Sequence, residues 1–257
     1  MLWFIIWTSY YHYPWLVKQK VKTQFGIAEV LVGTINNKDV AIICRHWENG
    51  LILPHQINHR ANILALKELW VDAIVSFSIV WVMNQKYELW KIILAHELYY
   101  PDNRLPCGNI CTFFNAKDEK NGGHLIMENF YNSGLNSDII NIIWNDNLID
   151  DATYIHFVWP RLSSKAEIRS YRNFGWDIIS QTCWPEAVLS WELGIPYTTA
   201  CFWISYSNGI MDKNTTQKES DSYLEKSAIV FESIIIGLIE TSSKYNFEWF
   251  IKRMNQS

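Results

Sequence analysis

The chain has 257 residues, 49% of them hydrophobic and 19% charged, with a net charge of −4. That length is enough to bury a substantial core, and the mildly negative balance excludes the broad basic footprint of a nucleic-acid binder. Five cysteines (Cys44, Cys107, Cys111, Cys183, Cys201), odd in number and scattered, point to reduced thiols in a cytoplasm and away from a disulfide framework. Cys107 and Cys111 form a CxxxC pair with no second pair, better read as loop cysteines than as a metal site. One ratio is abnormal: there are 14 tryptophans against 11 glycines, where ordinary usage of roughly 7% glycine would give about eighteen.

Leu2 to Ile6 reads as a buried strand leading into the polar turn Trp7-Thr-Ser9. The stretch from Met1 to Trp7 is too short and lacks the basic flank for a signal peptide or a membrane span. Lys20 to Gly33 and Asn37 to Cys44 read as further strands around an Asn36-Asn37 turn. The second delivers Arg45 and His46 at its carboxyl end, where open α/β sheets place ligands. Asn58 to Leu69 carries the helical apolar stripe Ala61, Ile63, Leu64, Ala65, Leu66.

Ala73 to Val80 is a continuous apolar run suited to a central strand, and Lys91 to Leu94 reads as another. Residues 101 to 123 are rich in Asn, Asp, Gly and Pro and read as a long loop. Tyr154 to Val158 is a strand, followed by a helix capped at Ser163 or Ser164 and running through Tyr171. Asp177 to Ser180 and Tyr197 to Ile204 are strands, separated by a helix from Pro185 to Leu193 that stops at Gly194. Asn208 to Ser222 is polar, and Tyr223 to Lys252 reads as a closing amphipathic helix with a break near Ser242-Ser243. The repeated βα units predict an α/β fold, a mixed sheet flanked by helices, in one domain spanning residues 1–257.

Five separated stretches resemble the trimeric purine nucleoside phosphorylases, in particular the methylthioadenosine and methylthioinosine phosphorylase branch. They are Arg45-His-Trp47, Pro54-His-Gln-Ile-Asn-His-Arg-Ala-Asn-Ile-Leu-Ala-Leu-Lys67, Trp159-Pro-Arg-Leu-Ser-Ser-Lys-Ala-Glu167, Trp184-Pro-Glu-Ala187 and Glu192-Leu-Gly-Ile-Pro-Tyr197. The resemblance implies a nucleoside phosphorylase-like fold, a cytoplasmic homotrimer, and phosphorolysis of a purine nucleoside to free purine and a pentose 1-phosphate. Inorganic phosphate is then the co-substrate, with no metal, organic cofactor, nucleic acid or membrane partner.

The resemblance assigns phosphate binding to Thr8, Arg45, His46, Ser78 with the backbone of Ile79, and Thr182. It assigns the nucleoside to Leu162 and Ser163 beside the base, Gln181 in place of a methionine under the ribose, and Ser205 and Ser207. Relatives carry an aspartate pair or an asparagine where Ser205 and Ser207 stand, so the base edge is left open. His124 resembles a histidine that reaches the 5′ end of the nucleoside in the next subunit. No residue is assigned as catalytic acid or base. His12, His55, His59, His96 and His156 have no mutual metal-ligand spacing and read as packing or solvated residues.

Against the same family pattern, Trp3, Trp7, Trp47, Trp70, Trp81, Trp90 and Trp159 fall where relatives have glycine. One cause would produce both the tryptophan excess and the glycine deficit: UGA codons that the source decodes as glycine and the translation renders as tryptophan. Taken literally, the tryptophans would crowd the phosphate and base sites. The chain would then be an impaired trimeric relative with a binding or structural role. A third reading is a hydrolase that uses water in place of phosphate.

Overall fold

The computed structural model describes residues 2–6, 13, 15–47, 52–87, 91–115, 122–126, 131–143, 148–158, 160–211, 215–241, 243–248 and 250–253. Thr8, Trp7, Trp90 and Trp159 lie outside the described residues. Among those described, the strands are β1 (Leu2–Ile6), β2 (Val17–Thr23), β3 (Gly26–Ile35), β4 (Lys38–Cys44), β5 (Ala73–Val82), β6 (Ile92–Tyr99), β7 (Gly123–Ile126), β8 (Leu148–His156), β9 (Ile178–Ser180), β10 (Tyr197–Tyr206) and β11 (Phe250–Arg253). The helices are α1 (His59–Glu68), α2 (Ser133–Ile143), α3 (Lys165–Asn173), α4 (Cys183–Glu192) and α5 (Gln217–Thr241).

Nine strands form one mixed sheet in the order β10-β6-β8-β9-β5-β1-β4-β3-β2, and β10 also pairs with β5. That extra pairing closes β5, β9, β8, β6 and β10 into a ring, with β1, β4, β3 and β2 running out from β5 as an open sheet. The parallel core is β4, β1, β5 and β10. Its strands alternate sides as the pleat requires. Trp3, Ile5, Ala41, Ile43 and Ile74 pack with residues of α1 and α4, while Phe4, Ile42, Val75 and Phe77 pack with residues of α2 and α5. The expected mixed sheet flanked by helices is therefore the architecture observed.

Local signals placed several boundaries well. Asn58 caps α1 by accepting from the Ala61 amide, and Ser164 caps α3 in a box with Glu167. Gly194 ends the segment after α4 at φ 69°, a left-handed value glycine adopts without strain.

Other expectations need correction. The stretch read as strand from Lys20 to Gly33 is a hairpin, β2 and β3, turning at Gln24-Phe25. α2 was not foreseen, and it buries Leu135, Ile139 and Ile143 at helical spacing. The closing helix starts earlier and stops at Thr241, so the predicted break is in fact its end. Beyond it, β11 pairs antiparallel with β7. β6 and β8 are also longer than their apolar cores suggested, running to Tyr99 and starting at Leu148.

Candidate active site

Ile43 and Arg45 point to the same side of the sheet as Ile74, Ser76 and Ser78 of β5, because side chains two apart share a face. The Arg45 guanidinium lies wholly inside, donating from Nε to Glu186 Oε1 at 2.7 Å and from Nη2 to Glu186 Oε2 at 2.9 Å. It also donates from Nη1 to the Phe77 carbonyl and from Nη2 to Ser76 Oγ, both at 2.6 Å. Ser76 in turn donates to Glu186 Oε2 at 2.6 Å. This network ties the end of β4 and the middle of β5 to the first turn of α4. Glu186 holds the Arg45 pKa above its ordinary value despite the opposing cost of burial.

One rung further along β5 is a cluster of hydroxyls. Ser78 Oγ lies 3.4 Å from Thr182 Oγ1 and 3.5 Å from Ser180 Oγ, and all three residues are buried. Ser180 donates to the Ile79 carbonyl at 2.7 Å. Thr182 is the N-cap of α4, yet its side chain does not cap the helix. The start of α4 thus lies beside three hydroxyls, a group of donors suited to an oxyanion, although the Cys183 amide there already donates to the Tyr154 hydroxyl at 3.4 Å and Pro185 has no N–H.

His46 stands next to Arg45, and its Nδ1–H donates to the Ile52 carbonyl at 2.6 Å. Burial holds its pKa down to about 4, and the Arg45 charge acts in the same direction. The ring is therefore neutral near pH 7.

Beside the hydroxyl cluster, a cleft of about 210 Å³ runs between β5, β8, β9, β10 and the start of α5. Trp81, Phe157, Ile168, Ile179 and Ile204 supply apolar walls, and Leu162 and Ser163 line it. Its polar groups are Ser163, Ser205, Ser207, Asn208, Thr215 and Ser220, all uncharged. Ser207 is 5% exposed, and its buried Oγ has no hydrogen-bond partner among the described residues. Asn208 Nδ2 donates to the Ser163 carbonyl at 2.8 Å, which holds the two rims together.

The structure thus brings together Ser78, Ile79 and Thr182, and, in the adjoining cleft, Leu162, Ser163, Ser205 and Ser207, while Arg45, with His46 next to it, is engaged by Glu186, Ser76 and Phe77. Gln181 is buried between Ser180 and Thr182, with its Nε2 unpartnered, and does not line the cleft. His124 is exposed on β7 and takes no part in the cleft of its own chain. Glu186, Ser76, Ser180, Asn208, Thr215 and Ser220 were given no role from sequence. Only Glu186 had a signal, its place in Trp184-Pro-Glu-Ala187.

Residues 7–240 match the profile of the phosphorylase superfamily. The chain is 29% identical over 228 residues to the 6-oxopurine nucleoside phosphorylase of Pyrococcus furiosus, covering 86% of this chain and 84% of that one. It is 30% identical over 214 residues to a probable S-methyl-5′-thioinosine phosphorylase of Methanopyrus kandleri, covering 81% and 80%. The crystal structure of a methylthioadenosine phosphorylase from an antarctic soil metagenomic library superposes with a TM-score of 0.82 at 24% identity, covering 95% of this chain and 88% of that one. At that identity the superposition speaks for the fold.

Proposed function

The chain belongs to the phosphorylase superfamily and catalyses phosphorolysis of a purine nucleoside, and we propose that its nucleoside is 5′-methylthioinosine or 5′-methylthioadenosine. The observation that carries the chemistry is the hydroxyl cluster of Ser78, Ser180 and Thr182 at the uncapped start of α4, adjoining an apolar cleft. Phosphate in the cluster is both the nucleophile and the negative charge that stabilises an oxocarbenium-like sugar in the transition state. Ser78 and Thr182 donate to it, as does the Ile79 backbone, while Arg45, paired with Glu186, holds the start of α4 in place behind them. His46, neutral and fixed by Ile52, stands beside Arg45 as a further phosphate-binding residue.

The purine lies between Leu162, Phe157 and the other apolar walls, with Ser205 and Ser207 at its polar edge, and Gln181, buried behind the cleft, packs on the ribose side without lining it. Holding both reactants in one geometry removes the entropic cost of bringing them together. The reaction needs no metal or organic cofactor in this reading, and the chain acts as a single cytoplasmic domain. His124, exposed on β7, reaches the sugar of a neighbouring subunit in a homotrimer. The alternative of an impaired binding or structural subunit finds no support among the named relatives.

The test, on protein carrying glycine at positions 3, 7, 47, 70, 81, 90 and 159, is release of free purine from both methylthio-nucleosides, inosine and adenosine, with and without phosphate. Phosphate-dependent turnover is expected, and the methylthio-nucleosides should be preferred. No turnover on any of them would overturn the reading, and turnover unchanged by phosphate removal would make the chain a hydrolase. Light scattering on the eluted protein checks the trimer.

A further inference from the structure

We propose that Cys183 and Cys201 are a redox-sensitive pair: a hydroperoxide joins them in a reversible disulfide that distorts the phosphate site and stops turnover. The disulfide rests on the geometry of the two sulfurs, and its effect on turnover rests on the phosphorolysis reading. Cys183 opens α4 and Cys201 lies in β10, and both side chains are wholly enclosed. Their sulfurs hydrogen-bond to each other. The Thr199 hydroxyl stands beside both, 3.3 Å from Cys183 Sγ and 3.9 Å from Cys201 Sγ. Thr199 and Cys201, two apart on β10, thus share the face that meets the start of α4.

The two thiols are unequal, which suits a pair in which one sulfur attacks and the other resolves. Burial and the Glu186 charge oppose ionisation of Cys183, but hydrogen bonds from Cys201 and Thr199 and the Arg45 charge outweigh them and hold this thiol below its usual range. Its place at the first residue of α4 acts in the same sense, since a helix N-terminus favours a thiolate. Burial, with the hydrogen bond and charge of Cys183, pushes Cys201 up, so it stays protonated. The Cys183 thiolate attacks one oxygen of hydrogen peroxide, the O–O bond breaks, and the departing hydroxide takes up a proton as water. The Cys201 sulfur then attacks the sulfenic acid, the S–O bond breaks, and the Cys201 proton leaves with that oxygen as a second water. Two thiols become one disulfide, and one peroxide is reduced to two waters. A small peroxide is the oxidant suited to so enclosed a pair, because a bulky disulfide cannot dock on buried sulfurs.

The pair is seated against the phosphate-binding hydroxyls. Thr182 directly precedes Cys183, and its Oγ1 lies 4.0 Å from Cys183 Sγ. Cys201 is the strand partner of Ser78 where β10 runs beside β5. A disulfide holds its sulfurs about 2.0 Å apart with a dihedral near a right angle, closer and more directional than a hydrogen bond between thiols. Closing it draws the first turn of α4 onto β10 and shifts Thr182 against Ser78, whose hydroxyls lie 3.4 Å apart in the reduced fold. A displacement of about 1 Å at groups that position a reactant can cost roughly a hundredfold in rate.

The test treats the protein of the activity assay with hydrogen peroxide and reads its intact mass and its peptides without reduction. The mass of the single chain should fall by two hydrogens. A protease that cuts after glutamate cleaves at Glu186 and Glu192, between the two cysteines, and should leave their peptides linked. Phosphate KM of the oxidised chain should rise about tenfold or more, as for a lost hydrogen bond to a charged group, while nucleoside KM changes little. Dithiothreitol should restore it. Cys183→Ser and Cys201→Ser, at positions that neither substrate site uses, should each keep the starting activity and lose the reversible response. Cys201→Ala is a second variant that leaves no polar group unpaired in the core. Absence of the linked peptide, a linked chain with unchanged phosphate KM, or an equal response in the Cys201 variants would overturn the proposal. If the chain turns over no nucleoside, the linked peptide and equilibrium binding of inorganic phosphate before and after oxidation still decide it: weaker binding supports the pair as a switch, and unchanged binding overturns it.

Discussion

Arg45 and Glu186 meet at two points, Nε to Oε1 at 2.7 Å and Nη2 to Oε2 at 2.9 Å, across 141 residues of chain and out of contact with solvent. The attraction in such a pair is largely offset by desolvation, so its value here lies in position. It pins the first turn of α4 to β4 and β5, and Thr182 is four residues before Glu186. Replacing Glu186 with Ala should cost about 3–5 kcal/mol, because the guanidinium is left charged and unpaired in the core. Glu186→Gln keeps the volume and an acceptor and should cost less. Urea denaturation of both variants reads this, and a loss in Glu186→Ala no larger than that of a surface substitution would contradict it.

The hydroxyl cluster makes a kinetic prediction. Thr182→Val keeps the shape of the side chain and removes a donor beside Ser78. Phosphate KM should rise about tenfold or more, as expected for a lost hydrogen bond to a charged group, while nucleoside KM changes little. Ser78→Ala should move in the same direction. Initial-rate kinetics with each substrate varied in turn separate the two constants, and equal weakening of both would remove the cluster from the phosphate site.

Two histidines set an acid limit on stability. His59 and His156 are buried with neither ring nitrogen hydrogen-bonded among the described residues, and burial lowers both pKa values to about 3. His59 faces the Arg45 charge, has His46 nearby and lies 3.9 Å from Glu186 Oε1. His156 packs edge-on against Tyr100 and has His59 nearby. The folded values lie below the unfolded value of roughly 6.5, so the unfolded chain binds more protons in between. The contribution is complete above that unfolded value and is lost as pH falls towards the folded one. At pH 5 the loss is on the order of 2 kcal/mol per histidine. Urea midpoints from pH 8 to pH 5 should fall accordingly, and His156→Phe, which keeps an aromatic ring against Tyr100, should flatten the decline. A profile no flatter in the variant would assign the loss to other groups.

What could be read from the residues followed the range of the interactions. β1, β4, α1 and β5 announce themselves through apolar runs and caps that act within a few residues, and Arg45 stood out at a strand end, while Ser78 and Thr182 came from the family resemblance. β11 could not be read this way, because its strand form depends on pairing with β7 more than a hundred residues earlier, and such context overrides local pattern. The role of Glu186 was equally hidden. A glutamate in the first turn of a helix reads as solvated, and only the fold shows Arg45 and Ser76 closing on it. α2 was legible and missed: Leu135, Ile139 and Ile143 are spaced four apart.

The backbone bears on the tryptophans. Trp47 and Trp70 adopt φ of 60° and 63°, and the other non-glycine residues with positive φ among those described are Asn36, Asn37 and Asn103. Asparagine tolerates the left-handed region, whereas a bulky side chain there is a true outlier. Trp70 directly follows the C-cap of α1, donates its amide to the Lys67 carbonyl, and is 87% exposed, so it stands where helices end in glycine and packs against little. Trp3 is the converse case, fully buried with its indole N–H unpaired, a cost that glycine would not incur. Trp81 fills part of the cleft wall against Phe157. The family pattern leads to the expectation that the natural protein carries glycine at positions 3, 7, 47, 70, 81, 90 and 159, and the backbone supports it at Trp47 and Trp70. The coding DNA should read UGA at each, and the intact mass of protein from the source should be lower by seven tryptophan-to-glycine differences. UGG codons there would refute the recoding. A physical check is independent of the gene: Trp70→Gly in the chain as translated should raise stability by about 1–2 kcal/mol, the strain of one left-handed residue, since so exposed an indole loses almost no burial. A thermal midpoint that falls would show that the indole at this position is not strained.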